Sequence, residues 1–266
     1  MKHYMLDTYN CFRTRLEDLT LIYEMLEKIP FELGLKATMP PFIQPYFNGV
    51  IPEDCGISAF VLLKGGHFTI HTFSYRECYF IDFMCEQDFD EYKLTKLIKE
   101  IYPSSKSNLY LIDRDTKFIK EEIFDEYDTK SDFGPHVFLE IKPNRKIDMD
   151  YLFNTLDKMP QKINMTPIMR PYVIKNTYEE DTIYSALTMI AESHISLHYF
   201  ENANKLYFDI FSCKFFDESF VIPEIISILG GDSSQKYTLI SRGSKYNFNR
   251  KTCETKIKYA TQWHLP

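Results

Sequence analysis

Residues 64–73, KGGHFTIHTF, return in altered form as residues 191–200, AESHISLHYF. The last histidines of the two copies, His71 and His198, lie 127 positions apart. Other landmarks recur in the same order. His3-Tyr4-Met5-Leu6-Asp7 comes back as His136-Val137-Phe138-Leu139-Glu140, and Leu26-Glu27-Lys28-Ile29-Pro30 as Leu156-Asp157-Lys158-Met159-Pro160. Met39-Pro40-Pro41-Phe42 comes back as Met165-Thr166-Pro167-Ile168. The offset drifts from 133 to 126 and back to 127, as loop insertions and deletions produce. Solenoid repeats are only about 20–50 residues long, so this period predicts two homologous domains.

Each half carries the same order of predicted elements. A short apolar strand (Tyr4 to Asp7, Val137 to Glu140) precedes an amphipathic helix. Its apolar stripe is Leu16, Leu19, Ile22, Tyr23 and Leu26 in the first half, and Met149, Leu152, Phe153, Leu156 and Met159 in the second. Such i, i+3, i+4 spacings bury one helix face, and Pro30 and Pro160 are expected to end the helices. Three strands follow, Ile57–Leu63, His67–Phe73 and Cys78–Met84, matched by Ile183–Ile190, His194–Phe200 and Lys205–Phe211. Short polar connections between them predict antiparallel hairpins. A second helix (Asp90–Tyr102, Pro223–Leu229) and a last strand (Leu109–Ile112, Tyr237–Ile240) complete each half.

Helices on one face of an antiparallel sheet make an α+β layer pair. Two such halves predict a four-layer α/β/β/α sandwich with a pseudo-twofold axis. The expected domains are residues 1–115 and 135–266, joined by a connector over residues 116–134.

The chain is 44% hydrophobic and 16% aromatic, enough to fill real cores. Its formal charge of −7 argues against a nucleic-acid partner. No apolar run reaches the roughly 18–20 residues of a membrane span, and no signal-peptide core opens the chain. The six cysteines form no CxxC pair and do not recur in register. A soluble, cytoplasmic protein is expected, with neither nucleic acid nor membrane as partner.

The two copies differ where chemistry would sit. Glu192-Ser193 precedes His194 in the second copy, whereas Gly65-Gly66 precedes His67 in the first. Alternating His194, Ser196 and His198 are compatible with a plain polar sheet face. They are also compatible with a serine that attacks the preceding carbonyl while neighbouring groups move protons. Cys213, twenty positions after Ser193, adds a thiol able to donate a proton.

The string Glu192-Ser193-His194-Ile195-Ser196-Leu197-His198, with Cys213 behind it, resembles the processing motif of the S-adenosylmethionine decarboxylases, especially the small bacterial and archaeal form. Ser185 matches a further family serine, and in the first half Ser58 and His71 stand where Ser185 and His198 stand in the second. The resemblance covers nearly the whole chain as two family domains in tandem. It implies cleavage between Glu192 and Ser193, leaving an N-terminal pyruvoyl group made from Ser193. That ketone withdraws electrons from the substrate carbon as carbon dioxide leaves, so no added cofactor and no metal is implied. The product would be the aminopropyl donor of polyamine synthesis.

The resemblance also implies how labour is divided. Ser193, Cys213 and Glu192 come from the second half, Ser58 and His71 from the first, and His198 completes the motif. The expectation is one active site per chain at the interface of the two repeats. The reciprocal site would use Gly66, which has no hydroxyl. Cys85 follows Asp82 by three residues where Cys213 follows Asp209 by four, a slip that turns a side chain to the opposite sheet face. The family's ribose-binding glutamate is replaced by Tyr75 in the first half and by Asn202 in the second. Pro52 falls where the family stacks adenine on a phenylalanine. Tyr75 and Phe47 are therefore the candidate substrate-binding residues. The missing glutamate leaves open a same-fold decarboxylase of arginine or ornithine, and a non-processing pseudoenzyme that binds a ligand or partner is a third reading. The expected partner is a small molecule, S-adenosylmethionine or an amino acid, taken by a monomer of tandem repeats or a homodimer.

Overall fold

The doubled sequence builds a doubled set of elements. The computed structural model describes residues 1–46, 54–114, 118–123, 132–232 and 234–244. The first half contains β1 (Lys2–Tyr9), the one-turn α1 (Arg13–Leu16), α2 (Leu19–Glu32), β2 (Phe42–Tyr46), β3 (Gly56–Leu63), β4 (Gly66–Phe73), β5 (Cys78–Cys85), α3 (Glu91–Ile101), β6 (Lys106–Asp113) and β7 (Phe118–Ile123). The second contains β8 (Asp132–Ile141), α4 (Met149–Lys162), β9 (Tyr172–Thr177), β10 (Thr182–Ile190), β11 (Ser193–Phe200), β12 (Lys205–Ser212), α5 (Glu218–Ile228) and β13 (Tyr237–Ser244).

The chain forms two compact units: residues 1–63 and 67–132 lie in one, together with Gly243 and Ser244, and residues 64–66 and 133–242 make the other. The first sheet has the order β2-β3-β4-β5-β1-β6-β7, the second β9-β10-β11-β12-β8-β13. Without β7 the two orders superimpose strand for strand. Neighbouring strands run antiparallel, and the protein is α+β, as the sequence predicts.

Four aspartates start the longer helices. Asp18, Asp90, Asp148 and Asp217 each accept a hydrogen bond from a backbone N–H of the first turn, at 2.9–3.0 Å. The cap at Asp18 starts α2 at Leu19, so Leu16 falls in the separate α1 and the buried stripe is Ile22, Met25, Leu26 and Ile29. Leu19 and Tyr23, expected in the stripe, are exposed. Pro30 and Pro160 do not end their helices, which run to Glu32 and Lys162. Both proline carbonyls instead accept the closing bond of a Schellman turn, from Leu35 N–H at 2.8 Å and Met165 N–H at 2.7 Å. Gly34 and Asn164 supply the left-handed residue that this turn needs, with φ of 71° and 60°.

Three strands escape the sequence pattern. β2 and β9 lie at the sheet edges, and Pro45 within β2 is tolerated there because an edge strand need not donate on both sides. β7 occupies part of the stretch read as a connector and pairs with β6 from Asn108↔Ile123 to Asp113↔Phe118. No described helix is long and apolar enough to cross a membrane.

The second half shows how the sheet is placed for chemistry. Ile195, Leu197 and Tyr199 of β11 enter a core with Ala186, Phe208, Leu156 of α4 and Ile225 of α5. Strand alternation sends His194, Ser196 and His198 to the opposite face. All three are nonetheless fully buried. A polar row in such a place must be internally satisfied.

Candidate active site

The Glu192–Ser193 bond sits at the end of the two-residue turn joining β10 to β11, where Ile190 faces Ser193 across the hairpin. Four hydrogen bonds pin this turn. Ala191 N–H donates to Thr166 O at 2.7 Å. Thr166 returns two donors to the Glu192 carboxylate, its N–H at 3.0 Å and its hydroxyl at 3.3 Å. Cys213 N–H donates to Glu192 O at 2.8 Å. The carbonyl that a Ser193 attack would convert to an oxyanion therefore already holds a backbone donor, the usual device for stabilising such a charge.

The position of that donor depends on a glycine. A β-carbon on Gly134 in β8 would lie 1.8 Å from Ser212 O, so only glycine lets the two strands close up beside Cys213. The Cys213 side chain is half-buried and forms no disulfide.

Beneath the turn lies a buried polar cluster. Ser193 Oγ is 3.4 Å from His194 Nδ1. On the far side of that ring, His194 Nε2 is 3.5 Å from Asp209 Oδ2. Asp209 also accepts from Ser196 Oγ at 2.6 Å and lies 3.4 Å from His136 Nε2. Arg242 closes the row, its guanidinium 3.1 Å from His136 Nδ1 and 4.4 Å over the Phe211 ring. His194, Asp209, His136 and Arg242 are all fully buried.

The first half repeats the cluster without the serine. His3 Nε2 lies 3.5 Å from Asp82 Oδ1, Arg114 reaches His3 Nδ1 at 3.2 Å, and the His3 and His67 rings meet edge to face. Gly66 opens β4 where Ser193 opens β11. The register also shows the cysteine slip. His3 pairs with Met84 as His136 pairs with Phe211, so Cys85 takes the place of Ser212, not of Cys213.

The two serine–histidine pairs behave alike. Ser58 Oγ lies 2.8 Å from His71 Nδ1, and Ser185 Oγ lies 2.9 Å from His198 Nδ1. Tyr75 is buried, with the Arg13 guanidinium 4.4 Å over its ring. Burial raises its phenol pKa, with Arg13 opposing the shift. Phe47 and Pro52 lie outside the described residues.

The structure thus brings Glu192, Ser193 and Cys213 together at one turn, and pairs Ser58 with His71 and Ser185 with His198. Sequence reasoning placed His194 in the motif without a role of its own and missed Thr166, Asp209, His136 and Arg242. A signal for some of them was present: His3, Asp82 and Arg114 recur as His136, Asp209 and Arg242. The imidazoles of His3 and His136 are hydrogen-bonded parts of these clusters.

No curated protein matches this chain. Among solved structures, the adenosylmethionine decarboxylase from Aquifex aeolicus VF5 is similar at 17% identity, over 49% of this chain and 94% of that one, with a TM-score of 0.34. The S-adenosylmethionine decarboxylase family pattern matches twice, over residues 2–115 and again over residues 137–243, and the chain belongs to that family.

Proposed function

We propose that this chain is a self-cleaving, pyruvoyl-dependent decarboxylase of S-adenosylmethionine that supplies the aminopropyl donor for polyamine synthesis. The observation that carries the reading is the pinned turn: the Glu192 carbonyl accepts from Cys213 N–H at 2.8 Å, directly beside a serine hydroxyl. Attack by Ser193 Oγ on that carbonyl closes a five-membered ring, and opening it at the nitrogen leaves an ester. Elimination across Ser193 Cα–Cβ then parts the chain after Glu192.

The prosthetic group would be residue 193 itself, so its fit is decided by the serine and its surroundings. Ser193 stands at a strand start, against the Cys213 backbone and the His194 ring, and those residues fit the group. Once formed, it supplies an electron sink for breaking the substrate's carboxylate bond. Cys213, half-buried at the same turn and in no disulfide, is assigned the role of proton donor to the substrate carbon. Gly66 carries no hydroxyl, so only the second half can make the group.

A second substrate class has its own observation. Where the family places a ribose-binding glutamate, Tyr75 lies buried beneath Arg13, and a phenol cannot replace a bidentate carboxylate. Release of labelled carbon dioxide from carboxyl-labelled S-adenosylmethionine, arginine and ornithine separates the two readings. The expected outcome is release from S-adenosylmethionine, with none from Ser193→Ala. Release from arginine or ornithine alone would move the chain to that second class.

A further inference from the structure

We infer that His194, held by Asp209, is the base that takes the Ser193 proton in the first step of self-cleavage, an inference that rests on the self-cleaving reading above. Proton positions in the cluster follow from one fixed donor. A guanidinium can only donate, so Arg242, 3.1 Å away, requires a lone pair on His136 Nδ1. The His136 proton then sits on Nε2, which faces Asp209 Oδ2 at 3.4 Å. The same carboxylate oxygen lies 3.5 Å from His194 Nε2 and favours a proton there as well. With the ring proton on Nε2, His194 presents a lone pair at Nδ1. That nitrogen is the atom 3.4 Å from Ser193 Oγ. Hydrogen bonds to a catalytic base are often this long at rest and shorten as the proton moves.

The step balances within the chain. Ser193 Oγ–H gives its proton to His194 Nδ1 as Oγ bonds to the Glu192 carbonyl carbon. The carbonyl π pair moves onto oxygen, where Cys213 N–H receives it. The carbon–nitrogen bond then breaks, the electron pair returns to form the ester carbonyl, and the His194 proton passes to the freed amine. Asp209 is a positioning residue: it fixes the tautomer and stabilises the imidazolium that forms.

The first half provides a built-in comparison. His67, Asp82, His3 and Arg114 repeat the cluster, but Gly66 offers no hydroxyl. The cluster therefore belongs to the repeat, and only the second half puts a nucleophile on it.

The test follows cleavage by denatured mass, with and without hydroxylamine, which cuts esters but not amides and so reports the acyl shift alone. His194→Gln should slow cleavage at least about 100-fold, the lower range for general-base catalysis, whether or not hydroxylamine is present. Asp209→Asn should cleave more slowly, and Asp209→Glu, which keeps a carboxylate for the imidazole, should recover part of the rate.

A folded His194→Gln chain that cleaves at the wild-type rate overturns the inference. So does one that accumulates an ester released by hydroxylamine, which would place His194 at elimination instead. If His194→Gln does not fold, Asp209→Asn decides, and an unchanged rate overturns the inference. A wild-type chain that never cleaves, even with hydroxylamine, overturns the self-cleaving reading itself.

Discussion

Ser193 differs from Gly66 by one hydroxymethyl group, and a buried His–Asp–Arg cluster recurs in both halves. The serine, the glutamate before it and the cysteine twenty positions on were legible because a linear motif holds them. His194 stood in the same motif, yet its partner was hidden. Asp209 reaches it through the register of β11 and β12, where Ser196 faces Asp209 and His194 faces Phe211. A sequence shows periodicity along a strand, not which strand lies beside it. Ser58 and His71 belong to this scale too. Because they hydrogen-bond at 2.8 Å and the resemblance assigns them to processing, Ser58→Ala and His71→Ala should each slow cleavage by about 100-fold or more. Normal cleavage in both variants, timed by the loss of intact chain, would remove them from the reaction.

At the scale of elements, the central strands were readable because they are long, apolar and separated by polar turns. The edge strands β2 and β9 were not, being half-exposed and, in β2, interrupted by Pro45. Helix ends were misjudged for a physical reason. A proline removes one donor and favours a stop, but in α2 and α4 its carbonyl is still used by the Schellman turn that closes the helix. The sheet that carries Ser193 is held to its helices by the core around Leu197. Truncating that fully buried side chain, Leu197→Ala, should cost about 2–5 kcal/mol by lost transfer energy and a residual cavity. Denaturant unfolding measures it, and a loss below about 1 kcal/mol would show that the site closes up without strain on the sheet.

For the whole molecule, duplication was the most legible property, and the two sheet orders confirm it strand by strand. The order of the second sheet has a consequence for a cut after Glu192. Strands β8, β9 and β10 would belong to the larger fragment, while β11, β12 and β13 would belong to the smaller. In the sheet they interleave, β8 lying between β13 and β12, and β11 pairing with β10. The fragments would therefore stay together under native conditions, and cleavage would be invisible without denaturation. The most direct test of the account is the denatured mass of the purified chain before and after prolonged incubation. The account predicts fragments of 192 and 74 residues, the smaller with a blocked, carbonyl-bearing N-terminus. A chain that remains intact at 266 residues under all conditions would contradict it.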